Sequence, residues 1–287
     1  MLGQAIINTR QLESRLSRLI WIIVAILTSA SQVDLRIEYA HGTMIIVSAT
    51  KSSIIIGADS GLVSSSSNGE AISNRERKIF PIGRNVACFL TGTISVSFPG
   101  SAEKINLPND VRRWAAQHPH AGVRDAYQGL TDLVETKHAN ARSREPQPHS
   151  ITSVGCVGFD MGTPIVIASD FYVQADSKPK IIKTENSLLP GLVIPLGPKV
   201  ATEILRGEGN ALASFKSEAI IHKYREAREK GTLASLTERD LILLSSACLN
   251  DSETRAARDF DPQAVEISGP NHFAVINQSR GFRWVSP

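Results

Sequence analysis

The chain is short of the features that announce the commoner ligands. Its 287 residues carry a formal net charge of only +3, from 31 Lys and Arg against 28 Asp and Glu. No run of basic residues interleaved with aromatics occurs, which excludes the usual electrostatic footprint of nucleic-acid binding. Cysteine is scarce: Cys88, Cys156 and Cys248 have no metal-ligand spacing, and an odd count argues against a full disulfide framework. Cys88 and Cys156 sit in apolar, strand-like runs, where buried free thiols are expected. His118, His120, His138 and His149 also lack ligand spacing and are expected as solvated or helix-surface residues. No glycine loop suited to cradling phosphate is present, since Gly207 and Gly209 lack the rest of a fingerprint. Neither a metal nor an organic cofactor is expected.

What is present suits a globular protein. Hydrophobic residues make up 42% and charged residues 21% of the chain, enough to bury a sizeable core in one large domain or two small ones. The first 42 residues differ from the rest. Arg10, Arg15 and Arg18 precede the nine-residue apolar run Leu19 to Leu27, and small residues Thr28-Ser29-Ala30 follow. Such a run is too short to span a bilayer but suits a signal-peptide core. Export is the favoured expectation; a pro-segment helix or an over-extended start are the alternatives. In each case residues 1–42 form a leader absent from the active protein, and residues 43–287 form one domain. Membrane contact is expected only through the leader, if it is retained.

Along the domain, residues 44–50 and 53–59 are apolar and β-branched around Lys51-Ser52 and predict a hairpin. Strands are also expected over 71–73, 77–82 and 86–90. Residues 94–122 are poorly periodic. The spacing predicts a helix over 121–141, with Ala126, Leu130, Leu133 and Val134 on one face. A Pro-rich loop over 142–150 precedes strands over 151–159, 164–169 (running on towards Val173), 180–183 and 191–195. Helices are expected over 199–206, with Pro198 at the start, and over 211–230 and 236–250. Residues 272–277 and 281–285 predict a closing hairpin. Strand pairs alternating with helices suit an α+β domain of two stacked sheets with helices outside.

The chemistry concentrates near the start of the domain. Gly42-Thr43 opens the first strand, Asp59 ends its partner, and Lys78 lies on a third segment, with Gly92 further on. Cutting the bond before Thr43 would leave that residue with both a hydroxyl and a free α-amine, a base that can activate its own residue's nucleophile. Taken singly, Thr43 could merely start a strand, Asp59 cap a turn, and Lys78 be a solvated strand residue. Their common order and spacing carry the argument.

These residues resemble the catalytic frame of proteasome β-type subunits, which are N-terminal-nucleophile hydrolases. Asp59 lies 16 residues after Thr43 and Gly92 lies 14 after Lys78, as in that family. Between Asp59 and Lys78 the chain holds about three extra residues, expected in the turn Ser64 to Gly69. The resemblance implies a four-layer αββα sandwich and a self-processing threonine-type peptidase or amidohydrolase. Thr43 would be the nucleophile and Gly42 the residue before the self-cleaved bond. Lys78 would ease proton loss, Asp59 would hold Lys78, and the Gly92 N–H would meet the oxyanion. Leu90 would line the specificity pocket and favour apolar side chains before the scissile bond. It further implies a peptide or amide substrate and a homo-oligomeric ring. Two positions depart from the pattern. Pro195-Leu196-Gly197 stands where the family has Gly-Ser-Gly, and although Ser268-Gly269 matches, Val265 stands where an aspartate belongs. The alternatives are a non-catalytic proteasome-like scaffold and an amidase acting on a non-peptide amide.

Overall fold

The structure is a computed structural model and describes residues 38–42, 44–66, 69–73, 77–97, 104–142, 151–172, 180–196, 205, 215–259 and 270–287. The described residues form a mixed α+β fold of two antiparallel sheets and four helices. Most of the leader, the expected helix over 199–206 apart from Leu205, and Thr43, Val265 and Ser268 lie outside them.

The smaller sheet has five strands in the order β12-β2-β3-β13-β14. Its centre is the hairpin β2 (Ile45–Ala49) and β3 (Ser53–Ala58), flanked by β12 (Val193–Leu196) and by the closing hairpin β13 (His272–Asn277) and β14 (Gly281–Val285). Both faces of β2 and β3 are buried, which explains their unbroken apolar sequence.

The larger sheet has nine strands, with the path β11-β10-β9-β7-β1-β4-β5. These are β11 (Lys180–Ser187), β10 (Thr163–Tyr172), β9 (Ile151–Asp160), β7 (Val86–Ser97), β1 (Glu38–Gly42), β4 (Leu62–Ser66) and β5 (Gly69–Ser73). Two further strands, β6 (Ile79–Ile82) and β8 (Lys104–Asn106), also pair with β7.

Three apolar cores organise these elements. One joins β7, β9 and β10 to helices α1 (Leu107–Gln117) and α2 (Val123–Arg142), through residues such as Leu90, Val111, Leu130 and Phe171. A second joins β2, β3 and β13 to α3 (Phe215–Glu229) and α4 (Glu238–Asp259), through Met44, Tyr224, Leu241 and Phe273. The third draws Ile45, Ile56 and Ala274 of the small sheet against Ile79, Phe89 and Val166 of the large one. That inter-sheet core tolerates little change. Gly155 lies opposite Phe89, and a Cβ there would stand 2.1 Å from the Phe89 ring. Gly155→Ala is expected to lower unfolding free energy by about 1–3 kcal/mol through overpacking. Denaturant titration at unchanged slope is the check.

Residues 38–42, part of the expected leader, form a strand inside the large sheet. Several expectations need correction. The serines 64–66 belong to β4 rather than to a turn. Residues 94–122 hold the end of β7, the short β8 and helix α1. Pro108 occupies the first turn of α1, where a missing N–H costs nothing, and the Asn106 side chain caps it by accepting from the Asn109 N–H. Cys88 and Cys156 are not free thiols: they are cross-strand neighbours on β7 and β9 and form a disulfide. Helix α4 starts with a reciprocal cap. The Asp240 N–H donates to Thr237 Oγ1, and the Thr237 N–H donates to Asp240 Oδ2.

Candidate active site

The site forms where the two sheets meet at one end. On the small sheet the β2–β3 ladder continues one step past its last strand pair, with the Asp59 N–H donating to the Met44 carbonyl at 3.3 Å. The Asp59 side chain then turns back on the same residue. Its Oδ1 accepts from the Met44 N–H at 2.9 Å, and its Oδ2 accepts from the Gly61 N–H at 3.1 Å. Oδ2 also meets Lys78 Nζ at 2.7 Å, and both side chains are fully buried. Lys78 stands immediately before β6 of the large sheet, so this ion pair ties one sheet to the other. Three donors converging on one carboxylate offset its desolvation, without which a buried pair would be costly.

The large sheet sets out the rest by register. Gly92 pairs with Gly42 on one edge of β7 and with Thr152 on the other. Residues 86–89 likewise pair with β6 on one edge and with β9 on the other. Strands β1 and β6 therefore share the edge of β7 opposite β9 and run end to end along it. The β6 pairing extends to Leu90, whose N–H donates to the Lys78 carbonyl at 3.2 Å. Lys78 thus lies opposite Leu90, and Gly42 lies opposite Gly92 two residues on. Strand β6 occupies the next place on that edge, and Met44, the next described residue, stands at the head of the small sheet.

Residue 43 is outside the described residues, but both of its neighbours are fixed. One is paired with Gly92, the other is held by Asp59. Gly92 has φ of +73°, a left-handed conformation that costs a side-chain-bearing residue roughly 1–2 kcal/mol. Leu90 is fully buried in the core shared with α1 and α2. The structure therefore brings together Asp59, Lys78, Gly92, Leu90 and Gly42.

One further residue belongs to this neighbourhood and no sequence motif marked it. His272 heads β13, opposite Ala58 and one step from Asp59. It is half-buried, and its Nδ1 is buried with no hydrogen-bond partner among the described residues. Burial, followed by the positive charges of Arg77 and Lys78, holds its imidazole below the ordinary histidine value, while Asp59 pulls the other way. Trp284 of β14 stands edge-on to the His272 ring at 6.4 Å and carries the Arg77 guanidinium 5.2 Å over its own ring. Only the register of three distant segments reveals this cluster.

Among the described residues, no group of three or more His, Cys, Asp or Glu side chains gathers to hold a metal ion. No helix among them is long and apolar enough to cross a membrane. No protein-family model matches the chain, and no curated protein matches it.

Proposed function

We propose that the chain is a self-processing threonine-type peptidase or amidohydrolase of the proteasome β-like, N-terminal-nucleophile kind, built as a four-layer αββα sandwich. One observation carries the proposal. The two neighbours of position 43 are held at this site, Gly42 by pairing with Gly92 and Met44 by the Asp59 carboxylate of the buried Asp59–Lys78 pair. The three apolar cores support the layered architecture, since helices contribute to two of them and both sheets to the third.

In this mechanism the Thr43 hydroxyl attacks the Gly42 carbonyl carbon and the peptide nitrogen leaves as the new α-amine. Gly42 is then held on Thr43 as an ester. Water hydrolyses the ester, giving the Gly42 carboxylate and a free N-terminal threonine. The same hydroxyl, now served by its own amine, attacks substrate amides. The Gly92 N–H would meet the developing oxyanion, a contribution of about 3–4 kcal/mol in comparable acyl-transfer sites. Lys78, anchored by Asp59, supplies the nearby positive charge that favours proton loss. Once β1 departs, an extended peptide could take its place between β7 and β4 and pair with both. Leu90 beneath Gly92 favours an apolar side chain before the cut bond. A homo-oligomeric assembly remains part of the proposal, and the Cys88–Cys156 disulfide supports passage through an oxidising compartment.

The deciding experiment is intact-mass analysis of the full chain and of Thr43→Ala. The wild type is expected to yield a product beginning at Thr43, with the variant left uncut. A variant cut as readily as the wild type would end the proposal. A second reading, a non-catalytic scaffold that retains its leader, draws on the seat of β1 between two partner strands and on Val265 standing in place of an aspartate. It predicts that both proteins stay whole.

A further inference from the structure

We propose that His272 is a positioning residue of this site, one that preserves the Asp59–Lys78–Met44 arrangement only while its imidazole is neutral. The proposal rests on the peptidase reading for its effect on cleavage, though not for its effect on the uncut fold.

His272 shares a strand face with Ala274 and Ile276 of the inter-sheet core, so its ring closes the end of that core where the ion pair sits. A buried imidazole nitrogen with no partner is uncommon in a native protein and calls for an explanation. As a neutral acceptor, Nδ1 can stay unpaired at modest cost. As an imidazolium it becomes a buried donor that must find an acceptor.

The charged groups around it are Arg77 and Lys78, leading into β6, and Asp59, at the end of β3; β14 offers the Trp284 ring. Two are cations, so the acceptor for a protonated His272 is the Asp59 carboxylate. That carboxylate already receives Lys78 Nζ, the Met44 N–H and the Gly61 N–H. Protonation therefore sets a third cation against Lys78 and Arg77 and draws Asp59 away from Met44, the residue that anchors the chain just after the scissile bond.

The sign follows from a folded-state value below the ordinary one. As pH falls below about 6.5, the unfolded chain takes up the proton first, so stability declines until the folded imidazole also titrates. Cleavage is expected to fall about tenfold per pH unit below the folded value, as for a single required neutral group.

Two measurements on the full chain test this. In the uncut Thr43→Ala protein, NMR titration of the imidazoles, with the His272 signal assigned by its loss in His272→Asn, should give a value below 6.5 that rises in Arg77→Gln. Arg77 is exposed, so that variant spares the core. In the cleaving protein, the acid limb of the processing rate should coincide with that titration. His272→Asn keeps an uncharged acceptor and should remove the acid limb from the processing rate. An imidazole titrating at its ordinary value and indifferent to Arg77→Gln overturns the proposal, as does an acid limb that survives in His272→Asn. If the wild type stays uncut at every pH, the peptidase reading fails instead, and the Thr43→Ala titration alone decides the role of His272.

Discussion

Lys78→Ala is expected to cost about 3–5 kcal/mol of stability and to leave the chain uncut. The alanine strands a fully buried carboxylate, and breaking a buried pair by removing one partner is far more damaging than replacing both. Asp59 would still receive the Met44 and Gly61 N–H groups, which caps the loss. The double variant Asp59→Asn/Lys78→Met separates the two effects. Its uncharged side chains should recover most of the stability, because the desolvation of both ions is removed. Cleavage should not return, because the positive charge that the proposed mechanism requires is gone. Guanidinium titrations read the first result and intact mass the second. A Lys78→Ala protein that cuts itself normally would remove Lys78 from the mechanism, whatever its stability.

The second large effect is expected at the disulfide. Cys88 and Cys156 are 68 residues apart in sequence, so their bond closes a long loop and restricts the unfolded chain. Replacing both by alanine should cost about 2–4 kcal/mol and lower the melting midpoint by roughly 5–15 °C in a domain of this size. Either single replacement should cost nearly as much, since each removes the same bond. Alkylation of the unfolded, unreduced protein offers a direct control. It should label only Cys248, and labelling of all three thiols would contradict the bond.

Much of the small sheet was legible in the sequence. Strands β2 and β3 are buried on both faces, so their apolar runs stand out, and Lys51-Ser52 marks the turn. The closing hairpin was legible from the two short runs that flank Gln278-Ser279-Arg280. Of the site, Asp59 and Lys78 were legible through the family resemblance that their order and spacing carry, and the structure brings them to 2.7 Å. What stayed hidden depends on pairing rather than pattern. Glu38-Tyr39-Ala40-His41-Gly42 carries no alternation of its own; its strand is imposed by the flanking edges of β7 and β4. Period-2 alternation puts Cys88 on a strand face but says nothing about which residue lies opposite. Helix α1 was obscured because Pro108 looks like a breaker until its place in the first turn is known. His272 gave no signal, since its neighbours come from the end of β3, the residues just before β6, and β14.

Release of residues 38–42 would divide the large sheet down its middle. Among the described residues, β4 pairs only with β1 and β5. Once β1 leaves, β4 and β5 become a two-stranded ribbon, a unit marginally stable in water by itself. Facing it, the far half of β7 would expose a row of unsatisfied backbone groups. Two raw edges one strand apart are a template for any stray extended segment, including one from a second copy. On the proposed cleavage, the uncut chain would be the form suited to storage and the freshly cut chain the one prone to coagulate. A preparation that matures at high concentration should lose protein to precipitation in step with cleavage, and supplying the freed leader peptide should slow that loss.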